Sequence, residues 1–191
     1  MTNWVLVILI VLGFIFIIKM VVVISIISVL RITQGAMFHP SAFIRVKTFL
    51  DATPMHANEL LIDIGCGDGR VLREAWKRYG VRALGYEVNP MAYFLARLRN
   101  FFAAGVKISY KNFWKEDISA ADVIFCYLFP DVMEKLAQKL KQELRPGTRV
   151  VSCNFRLPGW THYTELNPDS FFHNGPIYFY HVPDPCRPPL P

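Results

Sequence analysis

The chain is 191 residues long, with 21 Lys and Arg against 15 Asp and Glu for a formal charge of +6. That length holds one domain and a short appendage, which excludes a multidomain assembly. The excess charge is modest and its cations are interleaved with acids, so a nucleic-acid partner is disfavoured and a solvated surface beside an anionic leaflet is the simpler account.

The first element is the appendage. Residues 4–30, WVLVILIVLGFIFIIKMVVVISIISVL, are apolar except at Lys19, Gly13 and two serines. A helix rising about 1.5 Å per residue makes this stretch roughly 40 Å long, enough for a hydrocarbon core of about 30 Å. A cleaved signal peptide fits poorly, because no basic start precedes the run and no small-residue cleavage site follows it. A core helix would not stay apolar on every face. The expectation is therefore a single transmembrane helix, an anchor over 1–32. Arg31, Arg45 and Lys47 follow the run, so the positive-inside rule places the remainder in the cytoplasm. Lys19 would snorkel to the inner interface or face a partner helix; snorkelling needs no second chain.

After a turn-rich linker, RITQGAMFHPSA, the segment SAFIRVKTFLDAT places Phe43, Val46, Phe49 and Leu50 at helical spacing, with Ser41 as a cap. Strand and helix patterns then alternate. ELLIDIG, RALGYEV, KISYKNF, ADVIFCYLF and RVVSCNF read as strands. VLREAWKRYG, PMAYFLARLRNFFAAG (Pro90 in its first turn) and DVMEKLAQKLKQEL read as helices. This alternation predicts an α/β domain over 33–183, a mostly parallel sheet with helices on both faces. HYTEL and IYFYHV, with no helical pattern between them, predict an antiparallel hairpin at the sheet edge, followed by a proline-rich tail over 184–191. Cys66, Cys126, Cys153 and Cys186 lack CxxC or Cys/His spacing and read as free thiols in a reducing compartment. The five histidines are equally scattered, so no metal is expected.

The turn after the first strand, LIDIGCGDGR, carries glycines at 65, 67 and 69 and acids at 63 and 68. It lies where open α/β sheets bind ligands. A bare strand-to-helix turn is expected to need one glycine or two; three leave room for a ligand on the backbone. The spacing is GxGxG rather than the GxGxxG of dinucleotide sites, and Asp63 beside it would repel a pyrophosphate. An ammonium and a sulfonium would suit it instead. Glu87, ending the second strand in GYEVNP, is placed to accept from two ribose hydroxyls. A phosphate-free cationic nucleoside satisfies both acids: S-adenosyl-L-methionine (SAM).

With GCGDGR, GYEVNP, NFWKEDIS, YLFPDVMEKLAQKLKQELRPGTRVVS and FRLPGW in place, the chain resembles class I (seven-β-strand) SAM-dependent methyltransferases with a Rossmann-like sheet. More narrowly it resembles the small family of archaeal and mitochondrial protein-lysine methyltransferases and their bacterial relatives, over roughly residues 35–183. Mitochondrial members also carry an N-terminal hydrophobic segment. The resemblance implies that Asp63, Gly65 and Gly67 frame the methionine half of SAM, with Glu87 at the ribose. Asn112, or else Asp117, would meet the adenine edge, with Phe113 or Trp114 packing nearby. Family members often have aspartate where Asn112 stands, yet an amide oxygen still accepts from an adenine amino group. Asp68 is counted with this set, it and Arg70 standing either behind the residues that touch the ligand or as simple helix N-terminal chemistry.

Methyl transfer from a sulfonium is an in-line displacement, helped chiefly by positioning. A lysine acceptor must first lose its proton, from a pKa near 10.4, which an apolar cleft favours. Tyr127 and Asn154, at the ends of the fourth and fifth strands, are the catalytic candidates, Tyr127 to hydrogen-bond the incoming nitrogen and Asn154 as acceptor wall, with Phe129 lining the channel. Three functions remain open: a membrane-anchored protein-lysine methyltransferase, a methyltransferase for a lipid or quinone, and a SAM-binding membrane protein without turnover.

Overall fold

The structure is a computed structural model and describes residues 3–32, 43–168 and 175–183. The linker cap Ser41, His39, His173, Cys186 and the proline-rich tail lie outside the described residues. The chain separates into two compact units, Met1–Met37 and Phe38–Pro191.

The first unit is one helix, α1 (Asn3–Ile32). From Trp4 to Ile24 its mean hydropathy is 3.3, and none of that stretch is buried within the protein. Length and composition make it long and apolar enough to cross a bilayer.

The second unit holds α2 (Phe43–Ala52), β1 (Leu60–Ile64), α3 (Arg70–Tyr79), β2 (Arg82–Glu87), α4 (Pro90–Arg99) and β3 (Val106–Tyr110). It continues with β4 (Val123–Cys126), α5 (Met133–Glu143), β5 (Arg149–Cys153), β6 (Thr164–Leu166) and β7 (Ile177–His181). The strands form one seven-stranded sheet in the order β3-β2-β1-β4-β5-β7-β6. The first five are parallel, and β7 pairs antiparallel with both β5 and β6. The predicted edge hairpin is thus present, with β6 outermost.

Alternation along each central strand builds two cores. Leu61, Val123, Phe125, Val151, Ile177 and Phe179 face α2 and α3, while Ile62, Ile64, Ile124, Val150 and Tyr180 face α5. Because both faces are covered, every second residue is apolar as well as every first, which is why these strands read as continuous hydrophobic runs. Chain order reverses direction at β1, whose neighbours are β2 and β4. That switch point opens a crevice at the carboxyl ends of the strands.

Several sequence expectations shift. The helix drawn through residue 105 stops at Arg99; Asn100 caps it, and Phe101 and Phe102 lie in a turn. β4 ends at Cys126, so YLF is a loop on the crevice rim. Phe43, placed on the apolar stripe of α2, is 67% exposed, whereas Arg45, counted as a membrane-flanking cation, is 3% exposed. The orientation rule therefore loses one of its three charges to the domain interior.

Candidate active site

The glycine turn joins β1 to α3. Gly65, Gly67 and Gly69 have φ of 77°, 56° and 73°, so the backbone alone demands glycine at all three positions. This corrects the expectation that a bare turn needs only one or two. Gly69 also forbids a side chain on steric grounds, since a Cβ there would lie 2.5 Å from Asn100 Nδ2. The glycine count therefore testifies to the turn, and the case for a ligand rests on the acids.

Three carboxyl groups converge on this turn, and their surroundings separate them. Asp63 is 3% exposed, and no hydrogen bond or ion pair reaches it among the described residues. Burial, then the nearby Glu87 and Asp68, push its pKa well above the ordinary carboxylate range. Glu87 is also buried. Its Oε2 accepts from Gly67 N (2.9 Å), and its Oε1 accepts from Val88 N and Asn89 N (2.8 Å each). Burial raises its pKa, and those three N–H donors pull partly the other way. Asp68 is the satisfied member. It pairs with Arg70 (2.8 Å) and with Arg99 at the end of α4. Burial alone would raise its pKa, but hydrogen bonds and charge from Arg70, with Arg99 adding to them, leave it lowered.

These placements refine the expected roles. Three of the roughly four acceptor positions on Glu87 are occupied by backbone, which leaves one on Oε2 for a ribose hydroxyl and makes Glu87 the clamp that shapes the turn. Asp68 ties the turn to α4 through Arg99 and to the start of α3 through Arg70. Asp63 is left as a desolvated acid without a cation. Cys66, between the glycines, has its thiol pKa raised by burial and then by Asp63, as expected of an inert thiol.

Asn112 follows β3, and its Oδ1 accepts from Trp114 N (3.1 Å), capping a short 3-10 turn over Phe113–Lys115. Phe113 is buried in the core shared with Ile62 and Ile64, its ring 4.3 Å from that of Trp114. Asp117 sits in an exposed turn, where it accepts from Ser119 N.

The acceptor candidates meet. The parallel register sets Cys126 beside Ser152, so Tyr127 and Asn154 both emerge on the same rim. Asn154 Nδ2 donates to Tyr127 Oη at 3.2 Å. Asn154 has φ of 70°, the one positive value among the described non-glycine residues, and its amide N–H donates to Pro176 O at 2.8 Å. Asparagine is among the few side chains that tolerate this conformation. Its Oδ1 is buried without a partner among the described residues. Leu128 Cδ2 lies 3.3 Å from where a Gly65 Cβ would stand, so the loop after β4 abuts the glycine turn. Phe129, 38% exposed, follows on the rim.

Arg45 completes this end, a residue that reads in the sequence as a membrane-flanking cation with no role in the site. Its guanidinium lies over the Tyr127 ring at 5.5 Å, and a Cβ on Gly175 would run into both Arg45 and Asn154 Oδ1. Its Nε and Nη1 have no hydrogen-bond partner among the described residues. Helical spacing does give a signal, since Arg45 stands four residues before Phe49 and so lies on the same side of α2 as the buried stripe rather than opposite it.

Comparison with known proteins agrees with this geometry. The family model for the ANTKMT methyltransferase domain matches residues 63–164, from Asp63 to the first residue of β6. A protein-lysine N-methyltransferase of Saccharolobus islandicus is 34% identical over 139 residues, covering 71% of this chain and 86% of that protein. The adenine nucleotide translocase lysine N-methyltransferase of Mus musculus is 40% identical over 104 residues, covering 52% of this chain and 45% of that protein. The chain thus spans somewhat under half the length of this mouse relative. Among solved structures, an RNA methyltransferase from Salinibacter ruber bound to S-adenosyl-L-homocysteine superposes with a TM-score of 0.71 at 28% identity, covering 80% of this chain and 99% of that one. SAM is accordingly the cofactor, and the crevice at the β1 switch point, lined by these acids, is the candidate place for it. The chain belongs to the ANTKMT methyltransferase domain family and is a SAM-dependent methyltransferase.

Proposed function

We propose that the chain is a protein-lysine N-methyltransferase held at a membrane by α1, with its catalytic domain in the cytoplasm. The observation that carries the lysine reading is the acceptor rim: aromatic Tyr127 and Phe129, the Asn154 amide, and the buried Arg45 cation, with no ionised carboxylate among these four groups. In this reading Asp63 takes the SAM ammonium, Gly65 and Gly67 let the methionine half lie on the backbone, and Glu87 holds the ribose. Asn112 and Phe113 meet the adenine, and Asp68 keeps the turn in place.

SAM supplies the electrophilic methyl. The chain's own residues align the acceptor and remove its charge. An amine approaching Tyr127 Oη and the unpartnered Asn154 Oδ1 would donate its N–H bonds to them, leaving its lone pair for the methyl carbon. Near-attack alignment of this kind contributes about 7–11 kcal/mol. Arg45 disfavours a charged ammonium at the same place, as a neighbouring cation does for other activated lysines. A lipid or quinone acceptor would not need that repulsion.

The test uses the full chain in membranes with methyl-labelled SAM. Label on protein lysines that is lost with Asp63→Ala supports the proposal. Label confined to the lipid extract or to RNA would replace the acceptor class, and SAM binding without labelled product would leave a non-catalytic binder.

A further inference from the structure

α4 packs on the domain the wrong way round for an ordinary amphipathic helix. Its buried positions are Ala92 and Ala96, continued by Asn100, at spacing i, i+4, i+8. The large apolar side chains point outward. Met91 is 67% exposed, Phe94 65% and Leu98 63%, and Phe101 and Phe102 in the turn beyond are 75% and 91%. Burial of apolar area should have chosen the opposite face for the core. A monomer in water rarely presents a contiguous patch of this kind without a use for it.

The surrounding charge says what covers it. From Val88 to Lys115 the chain carries five cations, Arg97, Arg99, Lys107, Lys111 and Lys115, and no acid. Arg99 is engaged by Asp68 and Lys111 by Glu116, while Arg97, Lys107 and Lys115 have no salt bridge among the described residues. β3 lies at the edge of the sheet beside α4, with Tyr93 and Tyr110 rings 5.3 Å apart, so its half-exposed Tyr110 borders the apolar face, while Lys107, paired with Leu84, stands on the opposite face of the sheet. Phenylalanine and leucine on one face, the exposed Arg97 beside them, no acid nearby in the chain and an amphipathic tyrosine at the rim are the chemistry of an interfacial helix. A protein partner of equal fit would need a matching acidic frame; an anionic leaflet supplies one everywhere.

The geometry points to the α4 face, from Met91 to Phe102, as a monotopic binding surface for an anionic lipid bilayer. It rests on the domain alone, independent of whether α1 spans a membrane and of which acceptor is methylated. Because α4 begins three residues after Glu87, docking there would hold the cofactor crevice beside the headgroups.

Full chain reconstituted in vesicles of phosphatidylcholine and phosphatidylglycerol, doped with a diazirine-bearing phospholipid, tests this by mapping lipid adducts after irradiation. Adducts are expected on the 91–102 peptide, falling at least about fivefold in pure phosphatidylcholine. The surface variant Phe94→Ser/Leu98→Ser/Phe102→Ser should lose them by about tenfold while its SAM affinity and melting temperature hold, since all three side chains are exposed. Absence of adducts on 91–102, equal labelling in neutral vesicles, or unchanged labelling of the variant would each overturn the proposal. So would crosslinks joining the 91–102 peptides of two copies in place of lipid adducts, which would make the face an interface between copies.

Discussion

The two ends of the crevice hold opposite buried charge. At the β1–β2 end, Asp63 is a desolvated acid without a cation and Glu87 a desolvated acid held by backbone. At the β4–β5 end, Arg45 is a desolvated cation with unpaired donors, lying over an aromatic ring. Asp63 and Arg45 are each destabilising as they stand, since an unmet buried polar group costs on the order of 1–3 kcal/mol. The difference fits the two reactants of the proposed lysine methylation. SAM arrives as a cation and should be attracted, whereas a lysine must arrive neutral and its ammonium form should be repelled. Unequal surroundings of this sort are the usual mark of a functional site.

The sharpest break of the comparison is at Asp63. Asp63→Asn keeps the shape and removes the charge, so SAM affinity should fall by roughly 100-fold, about 2.7 kcal/mol. The melting temperature of the ligand-free protein should hold or rise by about 2–4 °C, because the cost of burying an unmet carboxylate is gone. Calorimetric titration and a thermal melt read the two quantities on one sample. A parallel loss of affinity and stability would mean that Asp63 is structural.

Glu87 should behave differently. Glu87→Ala leaves the N–H groups of Gly67, Val88 and Asn89 without their acceptor, so affinity and stability should fall together, the latter by about 1–3 kcal/mol. A denaturant melt compared with Asp63→Asn checks this. If Glu87→Ala lost affinity alone, the clamp reading would be wrong.

The pH dependence separates the ends again. Asp63 has a raised pKa in the folded protein, so between the ordinary aspartate range and that higher value the folded state holds a proton that the unfolded state has released. Its contribution to stability therefore declines as pH rises through that window, the reverse of a salt-bridged aspartate such as Asp68. SAM favours the ionised form, so binding should release protons and tighten as pH rises through that same window. Titrations in buffers of different ionisation heat measure the release. No proton linkage in the wild type, or the same linkage in Asp63→Asn, would remove the group from the account.

Much of the anionic end is legible in the sequence, because its residues lie on consecutive β-α units and local spacing reports them. The parallel strands are legible for the same reason, as apolar runs interrupted by helical periodicity. The cationic end is only half legible. Tyr127 and Asn154 stand out as strand-end polar residues, but their hydrogen bond depends on the β4–β5 register, and the positive φ of Asn154 has no signal beyond its being asparagine. Arg45 is obscured because a cation after an apolar run suggests a membrane flank, which outweighs its helical spacing from Phe49 until the packing of α2 shows it to be interior. The exposed face of α4 is hidden for a related reason: periodicity finds a stripe of large apolar residues but does not say which side of the helix the sheet occupies.

At the cationic end the hydroxyl and amide come first. Tyr127→Phe and Asn154→Ala each remove one acceptor for the incoming N–H, so kcat should drop by roughly 10- to 100-fold with SAM affinity little changed, as expected for groups that act on the acceptor alone. Steady-state kinetics with a lysine-bearing protein acceptor reads this. The double variant should lose less than the product of the two, because the residues already share a hydrogen bond.

The smallest effect is the most specific. Arg45→Met replaces the guanidinium by an apolar chain of similar length. Removing a buried charge that has unmet donors should leave stability unchanged or raise it by about 1 kcal/mol. Without the cation, an acceptor ammonium is no longer disfavoured at the rim. A unit charge about 6 Å away at an effective dielectric near 20 is worth roughly 2–3 kcal/mol, so partial screening still leaves about one pKa unit. The acidic limb of the pH–kcat profile should therefore move to higher pH by about that amount, while the rate on its plateau changes little. Arg45→Lys keeps the charge and should keep the profile. If Met and Lys variants lost activity equally at every pH, Arg45 would act by packing against Tyr127 and the opposition of charge between the two ends would have no part in the chemistry.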